Sequence, residues 1–371
     1  MNIPNSSQVC VIGGGPAGLS AAIALTQAGC EATVIDCATP PIDKACGEGL
    51  MPDSIAVLAE LGVAVPPEIG FAFNGIRFYG ERSSVVADFP SGSGVGLRHT
   101  ALHSLLIRRA QELGITLAWG MKNIRLVETG VAVGQELLNA RFIVAADGQN
   151  SSVRRQAGLN RTVHQTRRYG FRRHYRIAPW SSYMELHWGP QCQIYVTPVS
   201  HDEVCVALIS RQPQLRLDTA LAHFSEVRSR LKGAVAVSSE MGALSVSRIL
   251  HRVCNRNVAL VGDASGSVDA VTGEGLCLAF RQSLVLARAL RAGELHAYQA
   301  RHRRLSRRPQ TMAALMLTLD KHPSFQRRAL TSLVRRPGVF EKLLAVHVGE
   351  RSFAHLLSWD LLPFCYAFLV A

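Results

Sequence analysis

No CxxC pair and no Cys/His cluster occur in these 371 residues; the nine cysteines lie singly. Zinc and iron–sulfur ligand spacings are therefore missing, and no metal site is expected. Unclustered cysteines in odd number suit a reducing compartment. Long apolar runs are lacking too: Leu361 to Val370 is too short to span a bilayer and contains Pro363. The opening MNIPNSSQ leaves no room for a signal peptide before the first apolar run, so the cytoplasm is the expected location. Sequence repeats are not evident. Acidic residues are scarce, 27 against 40 Lys and Arg, for a formal charge of +13. No recognition motif or aromatic-studded basic sheet accompanies that charge, which argues against nucleic acid.

Glycine, in contrast, is placed with purpose. Gln8 to Ile12 reads as a buried strand, and Gly13, Gly15 and Gly18 follow at the dinucleotide-fingerprint spacing. Gly13 permits the turn, Gly15 admits a pyrophosphate to the backbone, and Gly18 allows close helix packing. Pro16 and Ala17 open an Ala/Leu-rich helix to Ala28, whose amides and dipole favour phosphate. The next strand, Ala32 to Ile35, ends in Asp36, a carboxylate able to accept both hydroxyls of an adenosine ribose. This suits FAD and NAD equally.

Two later segments complete the pattern. Phe142 to Ala146 leads into Asp147, Gly148, Ser151 and Arg154. Val258 to Val261 ends in Gly262 and Asp263, and Gly273, Glu274 and Gly275 open a helix to about Ala292. With these DG and GD motifs the sequence resembles the p-hydroxybenzoate-hydroxylase-like flavoproteins across most of residues 8 to 295. The resemblance implies bound FAD, with Asp263 on the ribityl chain, the helix after Gly275 aimed at the pyrimidine edge of the flavin, and Arg98 at a helix start near the cofactor. KACGEGLMP (44 to 52) and DASGSVDAVTGEG resemble the geranylgeranyl-reductase and FixC-like branch, although Asp269, Ala270 and Val271 stand where a proline is usual. The combination is also similar to flavoproteins that accompany type III polyketide synthases, which implies oxygenation of phenolic lipids.

The expected architecture is α/β. A Rossmann-like FAD-binding domain with a mixed sheet is discontinuous (1-75, 97-165 and 250-300); an antiparallel-sheet substrate domain covers 76-96 and 166-249; a basic helical region covers 301-371. The short alternating runs between Arg167 and Ser210 carry the sheet expectation, with Arg77 to Phe89 a further hairpin. Tyr169, Phe171, Tyr175, Met184, Trp188 and Tyr195 are candidates to line its cavity. Residues 301 to 371 hold twelve Lys and Arg against four acids. A packed tail with a solvated basic face is the plain reading, and peripheral contact with anionic lipid the sharper one.

Chemistry is less legible than cofactor. Cys46 is either a small residue that lets its loop pass the isoalloxazine or, as the reductase branch implies, a thiol that protonates a double bond or tunes the flavin. Glu48 is a candidate to orient substrate or to act as base on a phenol. His99, His103 and His164 read as locally satisfied. No second glycine fingerprint follows a strand, so NAD(P)H is expected as a transient reductant, with Arg172, Arg173 and His174 as phosphate contacts, or an external reductase delivers electrons. A monooxygenase acting on a hydrophobic phenolic or polyketide-type small molecule through the flavin C4a-hydroperoxide is placed first. A C=C reductase of an isoprenoid or lipid comes second, and a flavin-binding scaffold without turnover third.

Overall fold

The computed structural model describes residues 3–81 and 83–356. The alternation of short buried strands with helices builds a parallel sheet in the order Val258–Leu260, Glu136–Ala145, Ser6–Ile12, Ala32–Asp36, Thr116–Trp119. Cys254–Asn255 and the meander Ile124–Val127, Gly130–Val133 add antiparallel partners, making the sheet mixed as expected. Its central strands are buried because they are covered on both sides, and they read as near-continuous apolar runs for that reason. Pro16–Gln27 and Gly275–Arg291 pack against one another on this sheet.

A second sheet forms the roof. Its order is Val235–Ala236, Thr162–Arg176, Glu203–Ser210, Cys192–Ser200, Met184–Gly189, Gly75–Tyr79, Ser84–Asp88, and Met241–Leu250 also pairs with Thr162–Arg176. The sheet is antiparallel except where Met184–Gly189 runs parallel to Gly75–Tyr79. That pairing departs from the expectation, because the hairpin comes from a distant stretch of chain and docks on the roof edge. The roof starts at Thr162, earlier than residue 166, and Gly94–Gly96 pairs with Gly49–Leu50 and Phe71–Phe73 in a small third sheet.

Strand alternation gives the roof two unlike faces. Phe171, Tyr175, Ile194, Val196, Val206 and Leu208 pack on the short helices between Leu217 and Arg230. Phe171 and Tyr175 therefore do not line the inner cavity, and Tyr169 shares their side by alternation. The inner face of Thr162–Arg176 instead carries Arg168, Arg172 and His174, all buried. Met184, Trp188 and Tyr195 do face inward, in an apolar cluster with Met51, Phe73, Val271 and Met316.

The C-terminal region is helical: Leu295–Lys321, Pro323–Arg335 and Pro337–His347. Proline opens the last two, where its missing N–H costs nothing. Most of the apolar stretch expected from Leu356 to Val370 lies outside the described residues. Among the described residues no helix is long and apolar enough to cross a membrane. His302, on the first of these helices, lies 3.0 Å from Gln282 Nε2 and 2.9 Å from Ser265 Oγ, while Gln282 Oε1 accepts from Gly262 N at 2.8 Å. One imidazole thus braces the GD turn.

Burial keeps that imidazole neutral, lowering its pKa to about 4. The unfolded chain takes up this proton near pH 6.5 and the folded one only near 4. The contribution is therefore complete above 6.5 and is lost as pH falls toward 4, by up to about 3 kcal/mol. Urea unfolding across this range should show the loss, and His302→Asn should flatten it; an unchanged slope in the variant would place the acid sensitivity elsewhere.

Candidate functional site

The strand ending at Ile12 delivers Gly13 with φ +109°, where a Cβ would meet the Ala146 carbonyl oxygen at 2.4 Å. Gly18 is equally constrained, since a Cβ there would lie 1.7 Å from the Gly13 oxygen. Gly15 has open space beside it, as has Gly275. The helix from Pro16 has no side chain capping its first amides, and the same holds for the helix from Gly275. These bare N-termini, each with room at its glycine, fit a pyrophosphate and a reduced flavin edge.

The acids stand around the same cleft. Asp36 accepts from Gly14 N at 2.5 Å and Ala38 N at 2.7 Å, fixing its carboxylate beside the glycine loop. Asp147 Oδ2 caps Ser152 N at 2.7 Å, and its buried Oδ1 has no partner. Asp263, on the turn set by Gly262 at φ +57°, receives Lys44 Nζ at 2.7 Å. The Asp263 carboxylate raises the Lys44 pKa, outweighing the burial that lowers it. Arg154, buried, donates to Ala264 O at 3.0 Å and Gln149 O at 2.9 Å, joining the second cofactor segment to the third. The residues present fit FAD: unfilled space at Gly15 and Gly275, and an unpartnered acceptor on Asp147.

Gly273, in the left-handed conformation at φ +67°, ends the turn before the flavin helix. The carboxylate of Glu274 turns away from the helix amides. It takes Arg308 Nη2 at 3.0 Å and lies 3.6 Å from His347 Nδ1, both on C-terminal helices. Burial raises its pKa, with His347 and Arg308 opposing. Arg98 starts the helix His99–Glu112 as expected, and its guanidinium pairs with Glu203 of the roof.

Segment 44 to 49 threads between cleft and roof. Lys44 holds Asp263, Thr197 Oγ1 donates to Gly47 O at 2.7 Å, and the Cys205 thiol lies 3.7 Å from Cys46 O. Burial pushes the Cys46 thiol up to about 11, so it stays protonated at neutral pH. Glu48 is not free to serve as a base on substrate. With φ +59° and 2 % exposure, it accepts from His99 N at 2.9 Å and meets His174 Nε2 at 2.6 Å, with Arg172 Nε 3.9 Å away. Arg172 in turn donates to Asp43 at 2.5 Å. That bond and charge outweigh the burial that raises the Asp43 pKa, leaving it below its ordinary value.

Arg172 and His174 are thereby withdrawn from the phosphate-binding role expected of them, and Arg173 pairs with Asp218 at 2.7 Å on the outer side. Ligand atoms of Glu48, His174 and Cys205 lie within 4.8 Å of one another. Arg172 already compensates the carboxylate, and burial holds the Cys205 pKa far above its usual range, so the trio reads as a clasp. The aromatic candidates drew attention away from these polar partners. Period-two reading of Arg168, Gly170, Arg172 and His174 would have found them, because they share one face. His99 is buried and its Nδ1 lacks a partner; His103 Nε2 sits 2.8 Å from Gly14 O.

Comparison with known proteins agrees with this geometry. The pattern of the FAD binding domain family matches residues 6–318. Menaquinone reductase of Mycobacterium tuberculosis is 29% identical over 309 residues, covering 74% of each chain. Digeranylgeranylglycerophospholipid reductase 1 of Methanopyrus kandleri is 28% identical over 297 residues, 72% of this chain and 76% of that one. A flavin-dependent monooxygenase of Mycobacteroides abscessus is 30% identical over 177 residues, 41% of this chain and 37% of its own. Among solved structures, flavin-dependent brominase Bmp2 superposes with a TM-score of 0.79 at 17% identity, covering 93% of this chain and 94% of its own. A geranylgeranyl bacteriochlorophyll reductase-like protein from Thermoplasma acidophilum gives 0.70 at 20% identity, covering 84% and 87%. These two likenesses concern the fold.

Glu48→Gln removes the charge that the buried Arg172 guanidinium faces and the acceptor that His174 meets. Stability should fall by about 3 kcal/mol, read by urea unfolding. A variant as stable as the parent would mean the clasp carries no net energy.

Proposed function

This chain belongs to the FAD binding domain family and is an FAD-dependent oxidoreductase, and we propose that it reduces a carbon–carbon double bond in a hydrophobic isoprenoid or ring-bearing small molecule. The observation that carries this reading is the place of the Cys46 thiol, on a loop pinned to Asp263 of the cofactor turn by Lys44 and to the roof by Thr197 and Cys205. Two relatives matched over most of their length are named as reductases, of menaquinone and of a digeranylgeranyl phospholipid.

Bound FAD supplies hydride chemistry, its two electrons coming from NAD(P)H or an external reductase. Cys46 gives the proton required at the second carbon and is reprotonated from solvent. Lys44 and Thr197 hold its loop in place, and Glu48, locked by His174, fixes the loop against the helix at His99. The inward cluster of Met51, Phe73, Met184, Tyr195 and Val271 excludes water and suits an apolar substrate.

Hydroxylation of a phenolic ring is the second reading. The same dry apolar cluster favours it, since oxygen chemistry needs water kept out, and a monooxygenase is among the partial relatives. Anaerobic incubation with NADPH, a flavin reductant and menaquinone-4 separates the two. Double-bond reduction adds two hydrogens that remain after air has reoxidised any hydroquinone to quinone, and Cys46→Ser should slow it about 100-fold with flavin content unchanged. Turnover only in air, with one oxygen atom added, selects the hydroxylase. Full turnover of Cys46→Ser removes the thiol from proton transfer.

The same reading places the protein beside anionic lipid. Arg301, Arg303, Arg304, Arg307, Arg327, Arg328, Arg335 and Arg336 are exposed on the C-terminal helices, with Leu315 and Val334 exposed among them. Attraction of clustered arginine to anionic headgroups, with shallow apolar contact, would bring the site to a membrane-dissolved substrate. Flotation with phosphatidylglycerol vesicles should show binding at low salt that is lost at high salt. Protein left at the bottom of the gradient in both conditions would remove the membrane contact.

A further inference from the structure

We propose that Arg168 and Asp269 form a polar anchor for a hydroxyl group on a substrate ring, a phenol, enol or hydroquinone. This deepens the reading above, that a hydrophobic substrate lies between roof and cofactor turn. Asp269 begins the turn Ala270–Thr272 that leads into the flavin helix. Arg168 faces it from the inner side of the roof.

Both side chains are almost fully buried, Arg168 at 2% and Asp269 at 1% exposure. They make a single direct bond, Nη1 to Oδ1 at 3.0 Å, where an arginine and a carboxylate are frequently joined by two. Their other contacts are accounted for. Asp269 Oδ1 also accepts from Val271 N at 3.0 Å, and Arg168 Nη2 donates to Gln193. Gln193 donates to Asp320, whose second oxygen takes Arg211 at 2.5 Å. Two atoms are left without a partner: the Arg168 Nε–H donor and the Asp269 Oδ2 acceptor.

A buried donor and acceptor left open in one ion pair are costly to the folded protein unless something meets them. The apolar residues around the turn, Met51, Met184, Tyr195, Val271 and Met316, give the rest of a ligand site: greasy walls with few converging polar groups. Tyr195 is committed, donating to Val271 O at 2.8 Å, so the open pair and the unpartnered Trp188 Nε1–H are the polar groups that remain, and of these the pair alone offers an acceptor.

The charges narrow the ligand. A carboxylate would meet Asp269 and nearby Asp320, and an ammonium would meet Arg168. A quinone carbonyl or an ether accepts and cannot donate, so a quinone substrate would engage both groups only in its hydroquinone form. A neutral ring hydroxyl does both, taking the Nε–H and giving its proton to Oδ2.

The test titrates FAD-loaded protein with 4-hexylphenol, 4-hexylanisole and hexylbenzene, following the visible flavin spectrum. The phenol should bind about tenfold tighter than either analogue. Asp269→Asn and Arg168→Lys should each shrink that preference to about twofold, with hexylbenzene affinity and FAD content unchanged. Equal binding of all three probes to the parent overturns the anchor and leaves the hydrophobic-substrate reading standing. Full preference in both folded variants likewise overturns it. Binding of none of the probes overturns the anchor together with the reading beneath it. Should a variant fail to fold, the phenol against anisole comparison on the parent decides.

Discussion

Everything in the cleft depends on how buried charge is matched where loop 43 to 49 meets the roof. Glu48 and Arg172 have almost no access to water, and each would be costly alone. Together with His174 and Asp43 they balance, and the balance spans three parts of the chain: the loop, the amino end of the helix His99–Glu112, and the longest roof strand. The helix amide at His99 contributes the electrostatic preference of a helix start for a carboxylate. Such a set fixes geometry more than it adds stability. It allows a loop with a left-handed residue at Glu48 to hold one shape while its neighbour Cys46 stays uncharged.

Cofactor and fold were legible in the sequence because they rest on local rules. Gly13 is required by its own positive φ and Gly18 by a backbone contact five residues away. Asp36 ends one strand and Asp263 closely follows another, and apolar composition marks both strands as buried. A period of two revealed the roof strands. The site's polar interior was not legible, for a physical reason. Glu48 finds His174 across 126 positions, and nothing local to either residue records the pairing. Its conspicuous place in a glycine-rich loop suggested a free base, while its partners Arg172 and His174 read as phosphate contacts. The aromatic side chains of Thr162–Arg176 misled in the opposite sense. They are apolar because they pack on helices outside the roof, leaving its inner face to charge.

Reaction type divides the same evidence differently. The family places FAD chemistry here, and the fold is shared by reductases, oxygenases and a brominase, so architecture alone does not choose among them. What differs between such proteins is the state of a few groups near the flavin. In this chain those groups are a protonated thiol, a carboxylate already engaged, and an ion pair with open valences over the cofactor turn.

The C-terminal helices bear on how such a protein can change over time. Arg308 reaches Glu274 and Asp53 from the helix Leu295–Lys321, and Gly349 lacks a side chain where that guanidinium passes, a Cβ there falling 1.5 Å from Nη1. His347 closes on the same carboxylate. The end of the chain is thus keyed to the residue that opens the flavin helix. A foreign segment grafted in place of these helices would strand the buried Glu274 carboxylate without the arginine and histidine that meet it.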